Sequence, residues 1–338
     1  MKIENNCLIS WDKDTTGEAY IPDGVTSMTD TAFELCENLT SISIPASMHA
    51  LTRFFGHYFP SNVTEIYYRG TIEQWCERSC IPLLINNPID LYINGERVVN
   101  LVIPDKIKHL NSYCFNYIKS LYSVKLNSVE IIDRGVFLHC TNLKYIDLGQ
   151  KLQFINHGAF SKCYNLKSII FPDSFRDLRD NAFCNCASIK YISGGKNIKN
   201  ISLYAFYSQS DNIQITKCYE DHRIIAYKAF DSHMKCRGFQ YAEGKTFTMD
   251  ETPELCERGF HACLNPLSIF NYYYGKISDL KFHKVYLEGE LATDPIGFDI
   301  VRSKVATNKI TIGEELSISQ LFDEFNKFVR KQEETTDD

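Results

Sequence analysis

Four side chains in the C-terminal third have the types and order of a metal site. Cys236, Cys256, His261 and Cys263 read Cys-x19-Cys-x4-His-x-Cys. Three thiolates and one imidazole suit tetrahedral zinc. A strand through 260–263 would point His261 and Cys263 the same way, which is compatible with ligation. The spacing lacks a Cys-x2-Cys knuckle, so ordinary buried cysteines are the main expectation and zinc the alternative. His261 and Cys263 could also be read as a base and its nucleophile. Residues two apart on a strand rarely reach each other in a hydrogen bond, so no catalytic pair is assigned. No P-loop, GxGxxG or HExxH phrase occurs.

Four of the other ten cysteines have a repeat address. Phe115, Phe137, Phe160, Phe183 and Phe206 are separated by 22, 23, 23 and 23 residues. Ala159, Ala182 and Ala205 precede the last three. Cys140, Cys163 and Cys186 are 23 apart, each three residues before Leu143, Leu166 or Ile189. Ala32-Phe33 and Cys36-Glu37-Asn38-Leu39 carry the same phrase near the start. Each unit holds one short strand (LTSISI, VTEIYY, LYSVKL, LKYIDL, LKSIIF, IKYISG) whose alternation puts one set of side chains inside. A single unit cannot bury its apolar face, whereas a stack can, so the pattern predicts a solenoid of about seven units over 20–217. The Ala-Phe pair reads as a short turn whose Phe fills the core. Cys36, Cys140, Cys163 and Cys186 read as small buried hydrophobes.

The phrases IPDGVTSMTDTAFELCENLTSISIP and LKYIDLGQKLQFINHGAFSKCYNLKSIIFP resemble the BspA-type leucine-rich repeats. YYRGTIEQWCERSC, at 67–80, resembles an insertion of that family, in which a Tyr-x-Gly-Thr phrase precedes a Trp helix. The resemblance covers about 200 residues. It implies a curved parallel sheet used for protein or glycan contact.

The strand surface is the place for recognition. Lys144, Lys167 and Lys190 share one phase of the repeat. Tyr145, Ser168 and Tyr191 share the next, and Tyr122 and Ser123 begin the series. If they point outward, Tyr122, Lys144, Tyr145, Lys167, Lys190 and Tyr191 form adjacent columns able to grip a protein partner. A solvated face without a partner is the alternative.

From about 219 the 23-residue beat stops. Strands are expected at 223–229, 237–241, 283–290 and 308–312. A helix is expected at 265–274, with Asn265 as N-cap and Pro266 at its first position. A last helix is expected at 317–331, where Ile318, Leu321, Phe322, Phe325 and Phe328 recur at helical spacing. Residues 332–338 read as a frayed acidic tail. YKAFDSHMKCRGFQYAEGKTF, LCERGFHACLNPLSIFNYY and SKVATNKITIGEEL resemble a small domain of unknown function found in bacteriophage and bacterial proteins. That implies family membership and a phage or prophage origin, but no activity. GFHACLNPLSIFNYY followed by VYLEGEL is also similar to the ADP-ribosyltransferases. On that resemblance Tyr273 would stack on the nicotinamide of NAD, and Glu288 or Glu290 would stabilise the transition state.

The expected fold is therefore α+β: a cap at 1–19, a parallel-stranded leucine-rich-repeat solenoid at 20–217 with an insertion near 67–100, an α+β domain at 219–331, and the tail. Among 338 residues, 1–217 balance 21 Lys+Arg against 21 Asp+Glu, so the net charge of −6 arises in the remainder. That excludes a basic footprint for duplex nucleic acid. No stretch approaches the roughly 20 apolar residues of a membrane helix, and MKIENNCLISWDKD lacks the apolar core of a secretory signal. The 13 cysteines are then expected as reduced thiols in a cytoplasm. The leading expectation is non-enzymatic recognition of a protein, phage-encoded and host-directed against defence, with neither metal nor cofactor. The alternative is an effector whose C-terminal domain uses NAD and whose repeats select the target.

Overall fold

The computed structural model describes residues 1–29, 31–48, 50–51, 60–77, 87–202, 204–207, 219–273, 275–293 and 303–334. Cys80, Cys218, residues 78–86 of the insertion and residues 335–338 of the tail lie outside them. The chain divides into two compact units, Met1–Leu166 and Lys167–Asp338, so the division falls inside the repeats.

The first unit winds as a coil of parallel strands. Gly17–Tyr20, Leu39–Pro45, Glu65–Arg69 and Asp90–Ile93 pair in that order. Asn100–Val102, Ser123–Lys125 and Tyr145–Asp147 form a second parallel row. His109–Leu110, Ile131–Ile132 and Phe154–Ile155 form a third. The repeat consensus explains how one turn grips the next. Phe137 stacks on Phe115 at 5.7 Å and on Phe160 at 5.1 Å, all three buried. In two of the Cys-x-Asn-Leu phrases the Asn reaches back one turn: Asn142 Nδ2 donates to the Lys119 carbonyl and Asn165 Nδ2 to the Thr141 carbonyl, each at 2.8 Å. The cysteine of that phrase does likewise. Cys140 Sγ donates to the Phe115 carbonyl at 3.0 Å, and Cys163 Sγ to Phe137 at 3.2 Å. Side-chain donors thus satisfy carbonyls that a tight turn leaves without a ladder partner. The expected Trp helix is Ile72–Glu77. Thr71 and Gln74 exchange capping hydrogen bonds at its start. Trp75 is buried, its Nε1 donating to the Cys114 carbonyl. A Cβ on Gly70 would lie 2.3 Å from the Tyr68 hydroxyl, which explains the glycine of the Tyr-x-Gly-Thr phrase.

In the second unit Ser168–Phe171 pairs with Tyr191–Gly194, and Asp177–Leu178 with Asn200–Ile201. The C-terminal domain is built on four long or central strands. Arg223–Asp231 pairs with Phe260–Cys263 and with Leu280–Thr293. Lys304–Leu316 pairs with the same two, so the pairings close on themselves. Both hairpin strands are longer than expected, because one face alternates into a core of Val285, Leu287, Val305, Ile310 and Ile312. Asn265 caps the next turn as expected, its Oδ1 accepting from Leu267 N at 3.0 Å, but that turn is the short 3-10 helix Pro266–Asn271.

The C-terminal helix runs Ile318–Glu334, past the expected end. Leu321, Phe322, Phe325 and Phe328 are buried. Phe322 stacks on Phe171 at 5.8 Å. Asn326 accepts from Ile192 N at 2.9 Å and donates to the Ile192 carbonyl at 2.8 Å. One side-chain amide thus substitutes for a further strand beside Tyr191–Gly194. Covering an edge in this way removes a site for unwanted pairing.

Candidate functional site

The C-terminal domain holds a cavity of about 440 Å³, and five of its elements converge there. Lys228 comes from the strand Arg223–Asp231, which is buried along most of its length. Cys236 comes from a short hairpin, His261 and Cys263 from Phe260–Cys263, Tyr273 from just past the 3-10 helix, and Lys304 from the start of a long strand.

Lys228 is 3% exposed, and its Nζ donates to the His261 carbonyl at 2.7 Å. Burial pushes its ammonium below the ordinary lysine range. Tyr273 Oη lies 2.9 Å from Cys236 Sγ. Burial, then the Cys236 thiol, hold its phenol well above the usual tyrosine range. His261 Nε2 accepts from Cys256 N at 2.9 Å. Burial and then the charge of Lys304 push this imidazole down to about 4, so it is neutral near pH 7. Lys304 Nζ reaches Cys256 Sγ at 3.1 Å and stands 4.7 Å from the centre of the Tyr272 ring. Two lysines, Arg237 and a tyrosine wall suit a planar or anionic ligand, with Glu257 as the carboxylate in the lining.

Cys236, His261 and Cys263 line this one cavity, and Cys256 joins them through Lys304. Their donor atoms are engaged elsewhere: His261 Nε2 by a backbone N–H, Cys236 by Tyr273, Cys256 by Lys304. Among the described residues, the His, Cys, Asp and Glu ligand atoms within 4.8 Å of one another belong to Glu243, His283 and Glu315. The sequence reading missed that group because its members lie 40 and 32 residues apart and share no motif. Lys228 was missed for a similar reason, since only its burial marks it.

Tyr273 lies in the cavity, whereas Glu288 and Glu290 do not line it. Glu288 is held by Lys309 Nζ at 3.1 Å and Thr311 Oγ1 at 3.2 Å, and Glu290 is exposed.

Of the strand-face residues, the first unit brings together Tyr122, Lys144 and Tyr145. The two rings meet edge to face at 5.5 Å. Lys144 Nζ stands 5.7 Å from the Tyr122 ring and 5.3 Å from the Tyr145 ring. Tyr122 is 41% exposed and Tyr145 46%. The second unit places Lys167 and Lys190 on neighbouring turns, Lys190 N donating to the Lys167 carbonyl at 3.0 Å. Lys190 Nζ pairs with Glu333 of the C-terminal helix, and Tyr191 is exposed. A second aromatic group in the first unit escaped the sequence reading. Tyr20, Ser43, Tyr67 and Tyr92 are successive register partners. Tyr67 stacks on Tyr92 at 4.5 Å, and Arg69 lies 3.9 Å over the Tyr20 ring. The repeat spacing drifts there, so no column was visible.

A family model described as a BspA type leucine rich repeat region, in 6 copies, matches residues 2–79, 91–214 and 130–249. A domain of unknown function, DUF7666, matches residues 224–324. Among curated proteins none matches the chain. Similar solved structures include a leucine rich cell surface protein from Faecalibacterium prausnitzii, 23% identical over 58% of this chain and 57% of that one, at a TM-score of 0.37. A leucine-rich repeat protein from Bacteroides ovatus is 21% identical over 57% and 54%, at 0.34. The leucine rich repeat protein of T. pallidum is 21% identical over 49% and 86%, at 0.28. The chain thus spans little more than half the length of the first two. With the repeat model matching well over half of its residues, the chain belongs to the BspA-type leucine-rich-repeat family and carries a C-terminal domain of unknown function.

Proposed function

We propose that this protein recognises a protein partner through the exposed strand face of its repeats, without catalysis. The observation that carries the reading is the patch of Tyr122, Lys144 and Tyr145. Two tyrosines, each more than 40% exposed, flank one ammonium. Such rings supply contact area at low entropic cost, and the lysine favours a partner with acidic or polar groups at that point. The balanced charge of 1–217 means that local complementarity, not long-range steering, sets the affinity. The same balance argues against duplex nucleic acid. No helix among the described residues is long and apolar enough to cross a membrane. The finer form of the reading is a phage-encoded, host-directed protein acting in the cytoplasm against defence. Its support is the resemblance of the C-terminal phrases to a domain found in phage and bacterial proteins. The test is capture from host lysate with the full chain and with the Tyr122→Ser, Tyr145→Ser double variant. The double variant should lose the captured partner at an unchanged melting temperature. Undiminished capture overturns the assignment of this face.

The cavity favours a second reading, in which the C-terminal domain binds a small molecule. Its support is a lysine buried beside aromatic walls without a carboxylate partner among the described residues, a combination that clusters at functional sites. In the NAD-using form of this reading Tyr273 would face the nicotinamide. Calorimetric titration of the full chain with NAD tests it: heat abolished by Tyr273→Ala supports it, and the absence of heat rejects it.

A further inference from the structure

We propose that Glu243, His283 and Glu315 form a site for one divalent transition-metal cation of the zinc class. None of the three residues lines the cavity.

Three elements bring the residues together. His283 lies on Leu280–Thr293, and Glu315 is its register partner on Lys304–Leu316. Glu243 lies in the turn before Thr246–Thr248, which pairs with the same long strand. That turn is pinned by Gly244 N donating to the Ile312 carbonyl at 2.8 Å and Ile312 N to the Lys245 carbonyl at 3.0 Å. The register between the two long strands shifts at His283, so a bulge aims this side chain. The bulge needs Gly313: a Cβ there would lie 2.7 Å from the Lys284 carbonyl.

The imidazole is held in one tautomer. Its Nδ1 lies 2.9 Å from the Gly313 carbonyl, which can only accept, so Nδ1 carries the proton. The ring packs edge to face on buried Phe230 at 5.5 Å. Nε2 therefore presents a lone pair. His283 is 1% exposed, and Nε2 is buried without a hydrogen-bond partner. Native structures seldom leave such an atom unsatisfied.

Two carboxylates stand beside this ring. A ring nitrogen of His283 and one oxygen from each of Glu243 and Glu315 lie within 4.8 Å of one another, and with Nδ1 given to the Gly313 carbonyl the nitrogen left for a ligand is Nε2. No hydrogen bond joins Nε2 to either carboxylate. A gap wider than a hydrogen bond instead suits an intervening ion, because two ligands at about 2.0–2.2 Å from a metal stand up to roughly 4.4 Å apart. One imidazole with two carboxylates selects borderline first-row cations over magnesium or calcium, which prefer all-oxygen shells. The carbonyl behind Nδ1 is the outer partner that metal-bound histidines ordinarily have. Both glutamates are exposed, so the remaining coordination positions open to solvent. Lys281 Nζ competes for the site, lying 3.0 Å from Glu315 Oε2.

The test is titration of the metal-stripped full chain with zinc and with cobalt(II), followed by calorimetry and visible absorption. One equivalent should bind. The cobalt form should show d–d bands without the ultraviolet charge-transfer band that a thiolate ligand gives. Glu243→Gln and Glu315→Gln should each weaken binding by roughly tenfold or more, at an unchanged melting temperature. Lys281→Met should tighten it. Both glutamates are at the surface, so these variants keep the fold even if His283→Gln does not. No uptake, uptake that neither Gln variant alters, or a thiolate band placing the metal among Cys236, Cys256 and Cys263 would each overturn the proposal.

Discussion

Single side chains show how the repeat and the domain use one residue type differently. Cys140 is fully buried, and desolvation pushes its thiol up to about 12. Cys256 is exposed beside Lys304. A thiol reagent added to native protein should therefore modify Cys256 first and leave Cys140 and Cys163 until unfolding. Peptide mapping after brief labelling checks this, and early modification of Cys140 would contradict it. His261 gives a pH signature. Its folded value of about 4 lies below the ordinary 6.5, so the native state binds fewer protons than the unfolded chain between those limits. Stability should fall as pH drops from 6.5 toward 4. His261→Gln should lose about 1–3 kcal/mol less over that window, a shift discounted for partial exposure. Denaturant melts of both proteins at pH 7 and pH 4.5 measure the difference, and parallel losses would refute it.

At the scale of elements, the repeat turn was legible because its period is written in three residue types at once. Phe, Cys and Asn each recur at 22–23 residues, and each makes a distinct contact with the turn before. The helix N-cap at Asn265 was legible for the same local reason, a side chain answering a backbone N–H two residues on. The cavity was half legible. Cys236, His261 and Cys263 stood out by type, while Lys228 and Lys304 are ordinary lysines until the fold buries them. The metal-site trio was illegible, since a strand register and a bulge create it. The docking of the C-terminal helix also lay beyond the sequence: helical spacing announced an apolar face but not its target. Asn326 is the side chain to change. Asn326→Leu removes both bonds to Ile192 and leaves a buried N–H and carbonyl unpaired. The expected cost is about 1–3 kcal/mol for those groups, read by denaturant unfolding. A neutral effect would mean that the edge is satisfied in another way.

For the whole molecule, the division at Leu166/Lys167 carries a consequence for how the protein unfolds. Repeats couple to their neighbours, so damage stays local. Phe160 belongs to the first unit, where it stacks on Phe137, and Phe183 to the second, where it stacks on Phe206, and both are buried. Truncation of either to Ala should cost about 3–5 kcal/mol. Calorimetry should show two transitions, the first-unit one lowered by Phe160→Ala and the other by Phe183→Ala. One transition lowered equally by both would contradict a two-unit chain. A fragment ending at 217 is a poor probe of the repeats, because it removes Phe322 and Asn326 from the strands they cover.

Hydrogen exchange of the full chain with and without its captured partner decides whether recognition runs through the strand face. Protection is expected at the amides around Tyr122–Lys125 and Lys144–Asp147, with 228–273 unchanged. Protection confined to the cavity strands and absent from both repeat strands would contradict it, and would assign binding to the C-terminal domain.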